Sequence, residues 1–150
     1  MAVQRYPIDD RWSPAVAASG FSAVPTLFLK SYATLGITPT EAMLIIHLMS
    51  YKWDSRRPYP SVARLSTNLG LSDGRVRSLL RRLEREKKML RRIHRRGRTN
   101  EFDFTPLIDA LETIQDERRA DQAESRRMED KRRSGNETGG GLATGFHHKE

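Results

Sequence analysis

Residues 61–83 read SVARLSTNLGLSDGRVRSLLRRL, and the order of caps and breakers in this stretch decides the fold. Ser61 can cap a helix, because its hydroxyl can accept from a free N–H of the first turn. Val62, Leu65 and Leu69 then share one face, and Gly70 supplies the left-handed position that ends the helix. Leu71 leads straight to Ser72, a second cap, after which Val76, Leu79, Leu80 and Leu83 recur at helical spacing. The spacing predicts a second helix from Ser72 to Lys87 or Lys88. A short glycine-containing turn between two capped helices sets them at a steep angle, which is a helix-turn-helix.

The second helix carries charge. With its apolar stripe facing a core, steps of about 100° per residue place Ser78, Arg81 and Arg85 nearly opposite that core. Arg77 and Arg82 flank them, Arg75 lies nearer the core edge, and Gly74 faces outward, where a missing side chain would let a backbone approach closely. Arginine pairs in a two-pronged way with guanine in the major groove of DNA, and the helix start at Ser72 would offer N–H groups to a phosphate. Arg77, Ser78 and Arg81 are therefore expected at base edges, and Arg82 and Arg85 at the backbone. A merely solvated helix face would interleave acids with its arginines, but residues 75–83 contain none.

Downstream the period changes. Residues 89–94 and 100–105 alternate, with Phe102 and Phe104 on one side, and Arg95, Arg96, Gly97 and Arg98 between them are compatible with a turn. This pattern predicts a β-hairpin. Its tip, with Arg95, Arg96 and Arg98, suits a narrow minor groove that concentrates negative potential, while Arg91 and Arg92 on the preceding strand suit phosphates.

Upstream, residues 1–20 have no clear period and read as an arm or loop. Phe21, Val24, Leu27 and Phe28 fall at helical spacing, and residues 25–33 are expected to form a short helix stopped by Gly36. Thr38-Pro39-Thr40-Glu41 is a helix start: Thr38 caps, Pro39 suits the first position, and Glu41 would complete a capping box. The helix that follows is apolar on most sides and is expected to be the central core helix, ending near Trp53, with a loop over 54–60. Thr105-Pro106 would open a last helix by the same logic, with Leu107, Leu111 and Ile114 as its stripe. Residues 115–133 are almost wholly polar and read as a solvated helix or disorder, and residues 134–150 as a glycine-rich flexible tail. The expected architecture is mainly α with a small β-hairpin, a winged helix-turn-helix over residues 21–114.

Composition narrows the function classes. The formal net charge is +8, but residues 75–98 alone hold 12 Lys and Arg against two acids, Glu84 and Glu86. The rest of the chain is slightly acidic, so the protein is near neutral apart from one concentrated basic stretch, the footprint of a polyanion binder. There is no cysteine, which excludes disulfides and thiolate metal sites and fits a reducing cytoplasm. No apolar run is long enough to span a membrane, and the first ten residues lack a signal-peptide pattern. Cytoplasmic localisation is the expectation.

Ser61 through Ser72 resembles the first half of the bacterial winged-helix pattern, in which a Leu-Ala pair and then Leu-Gly-Val-Ser precede the recognition helix. Val76, Leu80 and Leu83 fall at that family's core positions, and Gly97-Arg98-Thr99-Asn100-Glu101-Phe102 resembles the return strand of the wing. The chain is similar to the helix-turn-helix domains of MarR-like transcriptional regulators and of plasmid and phage replication-initiation proteins. It departs from the pattern in holding Lys87-Lys88-Met89 where glycine is usual, and Arg75 where threonine often stands. The resemblance implies sequence-specific binding of double-stranded DNA, with Ser61 and Asn100 completing the candidate contacts. A transcriptional regulator is its first implication and a replication initiator its second.

Rival classes fare worse. His47 lies in the apolar helix, His94 in a basic strand, and His147 and His148 in the tail, so no catalytic or metal constellation forms, and neither an enzyme nor a cofactor is expected. An RNA-binding role would call for exposed aromatics, and residues 75–98 contain none. An adaptor role through the helix at 106–133 is compatible with DNA binding, but the apolar stripe ends at Ile114, too early for a long coiled coil. Residues 21–32 and 107–114 are the surfaces expected to pair in a homodimer, unless they close the core of a monomer.

Overall fold

Among the described residues, hydroxyl side chains cap the starts of four helices, the first through Ser13 Oγ, which accepts from the N–H of Val16 at 3.4 Å. The Oγ1 of Thr38 accepts from the N–H of Glu41 at 3.2 Å, Ser61 Oγ from Arg64 at 3.2 Å, and Ser72 Oγ from Arg75 at 3.1 Å. Each such cap contributes about 1 kcal/mol by satisfying a donor that the helix leaves orphaned. The computed structural model describes residues 7–51 and 60–137. In chain order the elements are α1 (Pro7–Trp12), α2 (Pro14–Ala18), α3 (Thr26–Ser31), α4 (Pro39–Ser50), α5 (Val62–Leu69) and α6 (Asp73–Arg81). A π-helical turn (Arg82–Glu86), β1 (Arg91–Ile93), β2 (Glu101–Asp103) and α7 (Thr105–Glu137) follow. The fold is thus mainly helical with a two-stranded antiparallel sheet, in which Arg91 pairs with Asp103, Arg92 with Phe102 and Ile93 with Glu101.

The chain divides into two units, residues 1–111 and 112–150. In the first, α4 supplies Leu44, Ile45 and Leu48, α5 supplies Leu65, and α6 supplies Val76, Leu79 and Leu80 to one buried cluster. Phe28, Ile37, Ala42, Leu83, Leu90, Phe102, Phe104 and Leu107 complete it, so the expected one-sided placement of Phe102 and Phe104 holds. A leucine buried this fully stabilises by roughly 1.5–3 kcal/mol. In the second unit, α7 continues as a helix to Glu137, and residues 116–136 are exposed throughout.

Several details differ from expectation. Residues 7–18 form two short helices that bury no side chain, where an arm or loop was expected. α3 spans Thr26–Ser31, within the expected 25–33 but two residues shorter at its end, with Phe28 buried and Phe21, ahead of the helix, 60% exposed. α4 ends at Ser50; the expected end near Trp53 and most of the 54–60 loop lie outside the described residues. Glu41 does not close a capping box. Its carboxylate accepts from the Thr38 hydroxyl at 2.9 Å instead of from the Thr38 backbone. The cap of α7 is supplied by Asp103, whose Oδ1 accepts from the N–H of Thr105 at 3.1 Å and from its hydroxyl at 2.7 Å. Thr105 is therefore the first helical residue and not the cap.

The end of the second helix of the pair explains the missing glycine. The turn Arg82–Glu86 widens, with the N–H of Lys87 bonding to the carbonyl of Arg82 at 2.9 Å, five residues back. Lys88 then takes the left-handed conformation itself, at φ 53. The N–H of Met89 bonds to the carbonyl of Leu83 at 2.8 Å, one residue wider than the usual left-handed closure. Leu83 and Leu90, on either side of this turn's end, are both buried.

Candidate nucleic-acid interface

The α5–α6 junction fixes the angle at which the basic helix is held. Gly70, at φ 65, ends α5, and the N–H of Leu71 bonds back to the carbonyl of Ser66 at 3.1 Å. The hydroxyl of Ser66 then donates to Asp73 Oδ1 at 2.6 Å, tying α5 to the first turn of α6. This contact alters the role expected of the α6 start. Ser72 keeps the N–H of Arg75 for its own hydroxyl, and Asp73 places an anion in the first turn, where an incoming phosphate would be repelled.

Along α6, the buried stripe of Val76, Leu79 and Leu80 leaves Gly74, Arg75, Arg77 and Arg81 exposed and Ser78 half-buried. A Cβ built on Gly74 would meet nothing within 4 Å, so this side of the helix start is open. Arg85, on the π-helical turn, is exposed too. Arg82 departs from this set. Its guanidinium lies 3.9 Å from the buried Glu41 and 3.6 Å from Glu86.

The hairpin sorts its cations the same way. Arg91 is exposed, but Arg92 is turned back, its Nε 2.7 Å from Glu84 Oε2, with only 16% of the Arg92 side chain accessible. Gly97, at φ 68, makes the tip, where the N–H of Arg98 bonds to the carbonyl of Arg95 at 3.2 Å. Arg95 folds inward, donating to the Thr99 carbonyl at 2.8 Å and the Thr99 hydroxyl at 3.2 Å, and pairing with Glu101 at 3.3 Å. Arg96 and Arg98 are exposed. Arg82, Arg92 and Arg95 are thus committed within the protein, and Arg75, Arg77, Arg81, Arg85, Arg91, Arg96 and Arg98 are presented to solvent. The inward set depends on partners that sequence spacing hides, because Glu41 is remote in the chain and the pairing of Glu84 with Arg92 crosses a turn.

Ser61, Arg92, Arg98 and Asn100 meet around one shallow hollow between the start of α5 and the hairpin, floored by Val62, Leu80 and Phe102. The hollow brings the hairpin end of the basic stretch beside the start of the first helix of the pair. Among the described residues no group of three or more His, Cys, Asp or Glu could hold a metal ion, and no helix is long and apolar enough to cross a membrane. His47 is half-buried on α4 and His94 is exposed beside β1.

These features define a mainly helical domain in which a capped helix pair and a short hairpin present arginines. Residues 24–122 match the model of the DnaD N-terminal domain, and the chain belongs to that family. Among solved structures, it resembles the crystal structure of the N-terminal domain of DnaD protein from Geobacillus kaustophilus HTA426, with a TM-score of 0.57 and 25% sequence identity. The match covers 81% of this chain and 99% of that one. No curated protein matches. The family shown is therefore that of DnaD N-terminal domains.

Proposed function

We propose that this protein is a non-catalytic, duplex-DNA-binding protein of replication initiation, built as a winged helix-turn-helix. In this reading α6 enters the major groove and the hairpin acts as the wing. One observation carries it: α6, the π-helical turn, β1 and the tip all present exposed arginines within residues 75–98, while Arg82, Arg92 and Arg95 are the ones paired with acids. Arg77, Ser78 and Arg81 face base edges, and Arg85, Arg91, Arg96 and Arg98 face phosphates and the flanking groove. Ser61 and Asn100 reach the backbone across the hollow they share.

Of the two roles implied by the helix-turn-helix resemblance, replication initiation is favoured over transcriptional regulation by the DnaD match. Selection of bound sites from a random duplex pool tests the choice. Tandem direct repeats are expected of an initiator. Enrichment of a single inverted repeat would overturn the choice in favour of a dimeric regulator, and absence of enrichment would contradict sequence-specific binding.

A further inference from the structure

Three acids hold four of the cations in the basic stretch. Glu41 on α4 faces Arg82 at 3.9 Å and Lys87 at 3.8 Å. Glu84 on the π-helical turn faces Arg92 on β1 at 2.7 Å, and Glu101 on β2 faces Arg95 at the tip at 3.3 Å. The Glu84 and Glu101 contacts tie the hairpin down at two places, its first strand to the helix and its tip to its second strand. For a protein that binds a polyanion, simple charge makes each acid a liability, since each lowers the local positive potential. Geometry favours the opposite. Each strand has only three residues, and a hairpin so short holds its shape poorly without side-chain ties. Arg95 makes three contacts that close the tip, and Arg92 fixes β1 against the helix end that carries Arg81 and Arg85.

We infer that Glu84 and Glu101 are positioning residues for polyanion binding, which hold Arg91, Arg96 and Arg98 at a fixed spacing from the arginines of α6. DNA affinity then depends on these two acids in spite of their charge, because a pre-organised face loses less conformational freedom on binding. The inference rests on the reading of this face as a DNA-binding one.

The test is fluorescence anisotropy of the full chain with a labelled random duplex at low salt, with helix content followed by circular dichroism. Glu84→Gln and Glu101→Gln each raise the net charge by one. Their affinity is expected to fall about threefold through the lost pre-organisation, with helix content unchanged. Glu86→Gln adds the same charge at an exposed position, where the partner Arg82 keeps Glu41, and is expected to bind as the wild type does or slightly tighter. Exchanging the pair, Glu84→Arg with Arg92→Glu, is expected to recover most of the loss. Wild-type binding with equal or tighter binding by both Glu→Gln variants would overturn the inference and leave the DNA reading standing. No binding by the wild type would overturn the DNA reading and the inference with it.

Discussion

Lys87 Nζ lies 3.8 Å from Oε1 of Glu41, a carboxylate that the fold removes from solvent altogether. Lys87 also donates to the carbonyl of Gly36, so one side chain ties the end of the π-helical turn to the loop before α4. The other oxygen of Glu41, Oε2, is buried without a hydrogen-bond partner. A buried carboxylate in that state depends on the cations around it. Lys87→Met is therefore expected to lower unfolding free energy by about 1–3 kcal/mol, as measured by urea denaturation. Adding Glu41→Gln to Lys87→Met should recover part of that loss, because the double variant no longer buries a carboxylate left with Arg82 as its one cation among the described residues. Strict additivity of the two substitutions would contradict the coupling.

Lys88 occupies a left-handed position at φ 53, where a β-carbon is strained. Lys88→Gly is expected to raise the thermal midpoint, with a gain of up to about 1 kcal/mol after the added flexibility of the unfolded chain is offset. A lower midpoint would show that the Lys88 side chain contributes more than its backbone strain costs.

Gly74 gives a prediction in which folding and binding move in opposite directions. Space around it is open, so Gly74→Ala should stabilise the free protein by up to about 1 kcal/mol through helix propensity. If a DNA backbone packs against this face, the same methyl group should weaken duplex binding. Calorimetry and anisotropy on one preparation separate the two effects, and tighter binding by the variant would remove Gly74 from the interface.

Arg81 and the tip arginines should fail in different ways. Arg81→Ala is expected to remove roughly 1–3 kcal/mol of discrimination between a preferred site and random duplex. Arg96→Ala with Arg98→Ala should weaken both duplexes alike and reduce the salt slope by about one for each lost phosphate contact. Competition titrations read both quantities. Equal loss of discrimination from the two sets of changes would contradict the division between α6 and the hairpin.

Much of the helix pair was legible in the sequence because its signals are local. Ser61, Gly70 and Ser72 act within a few residues of themselves, and the Val76, Leu79, Leu80 and Leu83 stripe needs only helical spacing. The hairpin was legible from the alternation around Phe102 and Phe104. What stayed hidden depends on contacts between elements. Asp103 caps α7 from the end of a strand, where Thr105 beside Pro106 offered a competing cap. The π-helical turn has no period of its own, and Lys88 takes by context a conformation that sequence assigns to glycine. The sorting of Arg82, Arg92 and Arg95 inward requires Glu41, Glu84 and Glu101 to be brought beside them, and only the fold does so.

The central claim is that the exposed arginines between Arg75 and Arg98 bind duplex DNA through its phosphates. Anisotropy of the wild type with a labelled duplex across a salt series tests it most directly. With four or more phosphates neutralised, affinity should fall about a hundredfold or more between about 50 and 200 mM salt. Absence of binding at low salt, or binding that does not change with salt, would contradict the account.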